Sequence, residues 1–318
     1  MGRRSSSGSG TGSLATKAWR WSAWAALFAA LAWAPHPPSS GVAFLVMGDW
    51  GKQGSPSQRA VAAQLAKTAA STHATFIIST GDNFYPNGVK SDTDYQWKKT
   101  YEDVYTASSL MVPWYVALGN HDYKGDPDAE VAYTAKSTRW KMPARYYTFT
   151  IAVDDTTNAE FFVLDTSPFV EKYKTEASYS AQVGPAAIAP QLHWLDSALS
   201  VSKAQWKIGV GHHTIYSASP THGNTPELIK DVVPLFEKYH VQAYLNGHDH
   251  DLQDARAADV AYFTSGGGAE ARPTGKDEHT KFSKQSTGFL AAVLDARTLH
   301  VRFLNDSGRV LYSTEVHR

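Results

Sequence analysis

Residues 42–85 read VAFLVMGDWGKQGSPSQRAVAAQLAKTAASTHATFIISTGDNFY, and this stretch decides the fold. The apolar run Val42–Met47 is typical of a buried strand, and a second run, Thr75–Ser79, predicts another. Between these runs, Ser55 and Gln58 form a capping box that predicts the start of a helix. A strand, a helix and a second strand in this order indicate an α/β fold with parallel strands.

The same alternation continues along the chain. Trp114–Leu118, Trp206–Val210 and Val241–Leu245 are short apolar runs that predict further buried strands. Tyr146–Val153 and Glu160–Leu164 flank a turn-rich segment and predict an antiparallel hairpin. Further helices are predicted around Tyr95–Val104, at Gln191–Val201 and from Pro226 to about Tyr239, with closing strands near Ala261–Thr264, Phe289–Leu294, His300–Leu304 and Val310–Thr314. We therefore expect an α/β fold in which a two-sheet β-sandwich is flanked by helices.

Polar side chains follow five of the predicted strands at their C-terminal ends. They are Asp49, Asp82 with Tyr85, Asn120 with His121, His212 with His213, and His248 with His250. Each group taken alone fits an ordinary turn or a polar surface residue. Together they predict a single site, because ligands of open α/β sheets bind at this edge. Carboxylate, amide and imidazole donors without a thiolate suit iron, zinc or manganese.

The composition excludes several classes of function. Lys and Arg together number 30, as do Asp and Glu, so no global positive field attracts nucleic acid. The chain has no cysteine, which excludes disulfides, thiolate metal sites and a cysteine nucleophile. A hydrophobic content of 42% without an internal repeat favours one globular catalytic domain, which we expect to begin at residue 41 and to extend to residue 318.

The N-terminal 40 residues have the character of a leader. Arg3, Arg4, Lys17 and Arg20 precede the apolar stretch Ala23–Ala34, as in a secretory signal peptide. That stretch is shorter than the ~20 residues of a membrane span. We therefore expect a cleaved leader over residues 1–40 and a secreted or lysosome-like destination. An uncleaved signal anchor is the main alternative, and a short myristoylation pattern at Gly2 is a weaker one.

The five motifs, in this order, resemble those of the calcineurin-like metallophosphoesterase superfamily. They read Asp49-Trp50-Gly51, Gly81-Asp82-Asn83-Phe84-Tyr85, Gly119-Asn120-His121-Asp122, Gly209-Val210-Gly211-His212 and Gly247-His248-Asp249-His250. Tyr85 narrows the resemblance to the purple acid phosphatases, since most metallophosphoesterases lack it. The similarity extends from about Val42 to Thr314, and the small tartrate-resistant enzymes are the nearest match.

This resemblance implies a dinuclear metal site at the C-terminal ends of the strands. It assigns Asp49, Tyr85 and His250 to a ferric ion, Asn120, His212 and His248 to a divalent ion, and Asp82 to both ions as a bridge. The divalent ion is Fe(II), Zn(II) or Mn(II). The two ions would clamp phosphate oxygens and activate a water molecule or hydroxide for in-line attack. The implied activity is the hydrolysis of small phosphate monoesters at acidic pH by a monomeric enzyme without a stable membrane span after cleavage of the leader.

Three further histidines need separate interpretation. The family position of His121 contacts phosphate, although a supporting structural role is the alternative. His222 matches the histidine that protonates the leaving group, but its spacing from His212 is one residue longer than in relatives. His213 is expected at the surface or behind the ligands.

Other metallophosphoesterase activities remain open from the sequence. A phosphodiesterase, a nucleotide or phosphoprotein phosphatase, and iron redox or peroxide chemistry would all use the same metal core. The segment Ser167–Pro190 corresponds to an exposed regulatory loop in relatives. Its residues leave open whether it regulates this protein. The natural substrate and the oligomeric state are not encoded in the motifs.

Overall fold

The structure, a computed structural model, describes residues 41–179, 183 and 188–318. The predicted leader over residues 1–40 and part of the segment Ser167–Pro190 lie outside the described residues. The strands are β1 (Val42–Met47), β2 (Phe76–Ser79), β3 (Trp114–Val116), β4 (Trp140–Lys141), β5 (Tyr147–Ala152), β6 (Asn158–Val163), β7 (Trp206–Val210), β8 (Ala243–Asn246), β9 (Leu252–Ala257), β10 (Val260–Ser265), β11 (Thr280–Lys284), β12 (Gly288–Leu294), β13 (Thr298–Asn305) and β14 (Val310–His317).

The helices connect these strands. The α-helices are α1 (Pro56–Thr72), α2 (Pro127–Tyr133), α3 (Ile188–Val201), α4 (Pro226–Asp231) and α5 (Val233–Lys238). A π-helical turn occupies Trp97–Glu102, and short 3₁₀ turns occupy Ser108–Leu110, Asp122–Lys124, Ser167–Phe169 and Glu171–Lys174. Among the described residues, none of the helices combines the length with the hydrophobicity that a membrane span requires.

The strands form two mixed sheets, which confirms the predicted sandwich. One sheet has the order β14-β13-β12-β1-β2-β3-β4, and the other has the order β11-β9-β10-β8-β7-β6-β5. Parallel pairing joins β1 to β2, β2 to β3 and β3 to β4 in the first sheet. It joins β6 to β7, β7 to β8 and β8 to β10 in the second. The parallel strands that precede the predicted ligands therefore end at one edge of each sheet.

The start of α1 shows how the local sequence directs the chain. The Ser55 hydroxyl accepts a hydrogen bond from the Gln58 backbone N–H, as the capping box predicts. The Gln58 amide oxygen accepts from Gly54 N–H at 2.7 Å rather than from Ser55, and its amide nitrogen donates to Thr100 O at 2.9 Å. Gln58 thus ties the helix start to the π-helical segment as well as capping it.

Two hydrophobic layers hold the sandwich. The larger joins strands of both sheets with α1 and includes a cluster of aromatic rings around Trp50, formed with Phe84, Tyr101, Tyr105, Trp114 and Trp140. Trp50 is fully buried, and its indole N–H donates to Ser79 Oγ at 2.8 Å. The second layer packs α3, α4 and α5 against the second sheet. Since truncating a buried Trp costs about 3–5 kcal/mol, Trp50 fixes the loop that carries its neighbour Asp49.

The predicted helix from Pro226 to Tyr239 is wrong as one element. It is divided into α4 and α5 at Val232. Pro234 explains the break, because a proline inside a helix lacks the N–H that would bond four residues back and its ring clashes with that carbonyl. The predicted helix around Tyr95–Val104 is present, and its residues Trp97–Glu102 are π-helical.

Candidate metal centre

The predicted donors all lie in the loops that leave the parallel strands. Asp49 follows β1, Asp82 follows β2 and Asn120 follows β3 in the first sheet, whereas His212 follows β7 and His248 follows β8 in the second. Each of these side chains is at least nine-tenths buried. The two sheets thus present their C-terminal strand ends to the same volume, where ligands of α/β folds bind.

The backbone is strained where it delivers these side chains. Asp49, Asp82 and His248 have φ values of 58°, 53° and 71°, in the left-handed region that non-glycine residues avoid. Such residues cost about 1–3 kcal/mol each and cluster at functional sites. Gly119 shows how closely the loops approach, since a Cβ there would lie 2.2 Å from Asp82 N. Only glycine fits at this position.

One group of donors surrounds the Tyr85 hydroxyl. Tyr85 Oη lies 2.6 Å from Asp82 Oδ2, 3.0 Å from Asp49 Oδ1 and 3.0 Å from His250 Nε2. His250 Nε2 lies 3.4 Å from Asp49 Oδ1. Two carboxylates, a phenol and an imidazole therefore direct their polar atoms at one another in a buried space.

A second group of donors surrounds the His212 ring. His212 Nε2 lies 3.1 Å from Asn120 Oδ1, 3.1 Å from His248 Nδ1 and 3.5 Å from Asp82 Oδ1. Asp82 touches both groups, because its other oxygen contacts Tyr85. Asp49, Asp82 and His212 together form a cluster with metal-binding geometry. All seven predicted metal ligands are thus brought together in the fold.

The donor spacing fits cations. Ligand atoms about 2.1 Å from an ion and at right angles to one another lie about 3 Å apart, which is the separation found within both groups. The electrostatics agree. Burial and the charges of Asp49 and Asp82 raise the pKa of Tyr85 well above 10, so its phenolate needs a nearby positive charge. Burial disfavours ionisation of Asp82, but the charges of His212 and His121 outweigh burial and lower its pKa.

The hydrogen bonds behind the donors set which atom of each side chain faces the site. His212 Nδ1 lies 2.9 Å from the Thr80 carbonyl oxygen, so this nitrogen donates and Nε2 is left for a ligand. The Asn120 amide nitrogen donates to Tyr179 Oη at 3.2 Å, which leaves the amide oxygen facing His212. Nothing in the sequence marks Thr80 or Tyr179 for these roles, because each depends on a contact between distant segments.

Asp122 is a further supporting residue, and the sequence does contain a signal for it. Its carboxylate accepts from the backbone N–H groups of Asn83 at 2.9 Å, Phe84 at 3.0 Å and Gly119 at 2.8 Å. These bonds join the loops after β2 and β3. Asp122 stands inside the Gly119–Asp122 motif, so its position could have suggested this role.

The structure also locates His121 and His222. The His121 backbone N–H donates to Asp82 Oδ1 at 2.8 Å, and its Nδ1 lies 2.6 Å from the Pro86 carbonyl oxygen. The His222 ring stacks on His248 with a centroid distance of 4.0 Å and retains exposed surface. Removal of water from both rings lowers the pKa of His121 and of His222.

His213 lies behind the ligands rather than at the surface. It is buried, with Nδ1 2.8 Å from Thr166 Oγ1 and Nε2 3.2 Å from Tyr173 Oη. Its ring is also 4.3 Å from that of His248. The surface alternative for this residue is therefore wrong. Burial and the charge of His212 lower its pKa well below 6.5.

Comparisons with known proteins agree with this geometry. Residues 42–252 match the calcineurin-like phosphoesterase family. Purple acid phosphatase 4 of Arabidopsis thaliana is 37% identical over 297 residues, covering 90% of this chain and 86% of the relative. Human tartrate-resistant acid phosphatase type 5 is 32% identical over 298 residues, covering 86% of this chain and 90% of the relative.

Solved structures show the same fold. GAP50, described as the anchor in the inner membrane complex of Plasmodium, aligns with a TM-score of 0.77 at 26% identity, covering 87% of this chain and 89% of that protein. Purple acid phosphatase PPD1 of yellow lupin aligns with a TM-score of 0.62 at 17% identity, covering 88% of this chain and 54% of that protein. The chain belongs to the purple acid phosphatases, within the calcineurin-like phosphoesterase family.

Proposed function

We propose that the protein hydrolyses small phosphate monoesters, with broad specificity, at a centre that holds a ferric ion and a divalent ion. The observation that carries this proposal is the position of Asp82 between two donor groups, with one oxygen 2.6 Å from Tyr85 Oη and the other 3.5 Å from His212 Nε2. A carboxylate placed in this way is suited to bridge two cations. Such a pair stabilises phosphoryl oxygens and lowers the pKa of water when it is bound.

The ferric ion is assigned to Asp49, Tyr85 and His250 together with Asp82. This group has the greater density of anionic donors, and its phenol has a raised pKa that only a strongly charged ion would overcome. The divalent ion is assigned to Asn120, His212 and His248 with the second oxygen of Asp82. An amide and two imidazoles donate no negative charge, which suits Fe(II), Zn(II) or Mn(II).

His121 is proposed to bind the phosphate. Its Nδ1 is held by the Pro86 carbonyl, so the ring is fixed beside Asp82 with Nε2 available to donate to a phosphate oxygen. Both nitrogens donate only in the imidazolium form. Because the pKa of His121 is lowered, that form accumulates as the pH falls. This supports binding at acidic pH.

His222 is proposed to be the general acid. Its ring lies on the His248 ring and keeps exposed surface, so it can reach the leaving group at the mouth of the site. The Asp249 carboxylate accepts from the His222 backbone N–H at 3.2 Å and from Ser217 Oγ, which fixes the loop despite its longer spacing. A lowered pKa means that the proton is present only at acidic pH.

The activity is tested with purified protein on aryl and alkyl phosphate monoesters, beside a bis-aryl phosphate diester. Asp82→Asn is the test variant, because it removes the charge shared by both donor groups at constant size. We expect the wild-type protein to turn over monoesters and the rate to fall by at least about 10²-fold in this variant, because loss of a residue that only supports a ligand already costs about 10- to 100-fold. Preferential hydrolysis of the diester would identify a phosphodiesterase instead, and peroxide turnover without hydrolysis would favour the redox alternative.

A binding role is the second candidate, because the chain resembles GAP50, which is described as an anchor. The complete donor set favours catalysis, since an interaction protein has no need to keep seven buried polar side chains aimed at one another. Absence of hydrolysis in metal-loaded protein would favour the binding role.

The leader supports a secreted or lysosome-like destination. Residues 1–40 carry its basic and apolar segments, and acidic compartments would protonate His121 and His222. N-terminal sequencing of mature protein should begin near residue 41. Recovery of an intact, acylated Gly2 would contradict secretion.

A further inference from the structure

A charged cluster outside the seven donors borders the Tyr85 side of the centre. Glu270, in the loop after β10, lies 2.8 Å from Lys52 Nζ through Oε2 and 3.2 Å from Arg272 Nε through Oε1. The same Oε2 lies 3.5 Å from His250 Nδ1. This carboxylate therefore lies beside a proposed metal ligand, His250, and between the positively charged side chains of Lys52 and Arg272.

The orientation of the His250 ring makes Glu270 its natural partner. His250 Nε2 points at Tyr85 Oη and Asp49 Oδ1, so it is the nitrogen available to an ion. The other nitrogen, Nδ1, is buried and has no hydrogen-bond partner within the described part of the chain. When Nε2 donates its lone pair, Nδ1 carries the proton, and a buried N–H requires an acceptor. Glu270 Oε2, 3.5 Å away, is placed to be that acceptor.

Lys52 connects this carboxylate to the tyrosine. Its ammonium group lies 3.9 Å from the centroid of the Tyr85 ring. A positive charge over the ring stabilises a phenolate, and the charge of Glu270 partly cancels that field. The arrangement is held by the backbone, because Arg272 N–H donates to His250 O at 2.7 Å and Tyr85 N–H donates to Gly51 O at 2.9 Å.

We propose that Lys52 and Glu270 form a charge-balancing pair. The pair orients the His250 ring and sets how strongly the Tyr85 phenolate donates electrons to the metal. Glu270 fixes the His250 tautomer by accepting from Nδ1, and Lys52 stabilises the ionised phenolate. Both are positioning residues that act through ligands rather than touching the substrate. The inference rests on the proposed ferric site, since the colour of a ferric tyrosinate reports the energy of the phenolate electrons.

The test compares wild-type protein with Lys52→Met, Glu270→Gln and the double variant. The readouts are the position of the visible absorption band and the affinity for ferric ion in competition with a chelator. Lys52→Met should move the band to longer wavelength, because the phenolate electrons lose a stabilising charge. Glu270→Gln should move it to shorter wavelength and weaken ferric binding about 10- to 100-fold, the usual effect of losing such an outer partner. The double variant should return the band close to its wild-type position.

A matched control is the Lys238–Asp196 pair, which has a similar separation of 2.9 Å and joins two surface helices. Lys238→Met should leave the band unchanged. Shifts in the same direction for both single variants, or no shift while iron remains bound, would overturn the proposal. An iron-free or colourless wild-type protein would refute the ferric assignment itself and this inference with it. That outcome is recognised before any variant is made.

Discussion

Asp165, two residues after the end of β6, should contribute more to the stability of the protein in acid than at neutral pH. Its side chain is buried and accepts a hydrogen bond from the Tyr123 hydroxyl. Its backbone is paired in both directions with the Gln191 side chain at 2.9 Å. Burial raises the pKa of Asp165 to about 7, even though Tyr123 and Arg145 favour the ionised form. The folded protein therefore holds a proton here that an unfolded chain releases near pH 3.9.

The sign and size of the effect follow from this difference. Between about pH 4 and pH 7 the folded state binds more protons than the unfolded state, so the free energy of unfolding falls as the pH rises. Each pH unit in this interval corresponds to about 1.4 kcal/mol. The total loss attributable to Asp165 is then on the order of 4 kcal/mol. Asp165→Asn has nearly the same size and cannot ionise, so it should remove this dependence.

The assay is urea unfolding of wild type and Asp165→Asn from pH 4.5 to pH 8 at fixed metal content. Contributions from other titrating groups cancel in the difference between the two proteins, provided that they do not contact Asp165. Asp154→Asn is the control, because bonds from Thr156 lower the pKa of this exposed carboxyl, which is therefore ionised in the folded and the unfolded chain throughout this pH range. Its stability relative to wild type should not change with pH. The stability of Asp165→Asn relative to wild type should increase across the interval. A difference that does not change with pH would refute the reasoning.

Three other substitutions test the site. Tyr85→Phe should abolish the visible band while the far-UV circular dichroism stays unchanged; a band that persists would remove the tyrosine from the ferric assignment. His222→Ala should slow alkyl phosphates about 10²–10⁴-fold more than nitrophenyl phosphate, because only the poor leaving group needs a proton; equal losses would assign His222 to phosphate binding. Gly119→Ala places a Cβ 2.2 Å from Asp82 N, so it should lower the metal content of the protein and reduce its free energy of unfolding by about 1–3 kcal/mol. A metal content equal to that of the wild type would contradict this.

The fold was accessible from the sequence where local signals were strong. The apolar runs before Asp49, Asp82 and His212 are buried parallel strands, and such strands have a composition that is easily identified. Where an element depends on its neighbours, the local signal is weak. The two-residue strand β4 exists because it pairs with β3, and the break at Val232 depends on one proline within an otherwise helical pattern.

The donors of the candidate site were predictable from the sequence, but the residues that support them were less so. Side chains in the loops after parallel strands converge at one edge of a sheet, so the nine polar residues at the five strand ends could be named from their positions. The resemblance to the purple acid phosphatases then selected seven of them as metal ligands. Glu270 could not be named, because it is 20 residues from His250 and reaches it only through the path of the loop after β10. Tyr179 likewise meets Asn120 only in the folded chain. Glu270 and Tyr179 support the ligands through tertiary contacts between distant segments, which no fixed spacing in the sequence indicates.

The most direct measurement of the central claim is the metal content of purified active protein together with its visible spectrum. With Asp82 bridging two donor groups, the protein should contain about two metal ions per chain, at least one of them iron. The oxidised protein should be violet, since Tyr85 lies among the donors of the proposed ferric site. A fully active, well-folded sample that holds a single ion, or an oxidised iron protein without colour, would contradict the account.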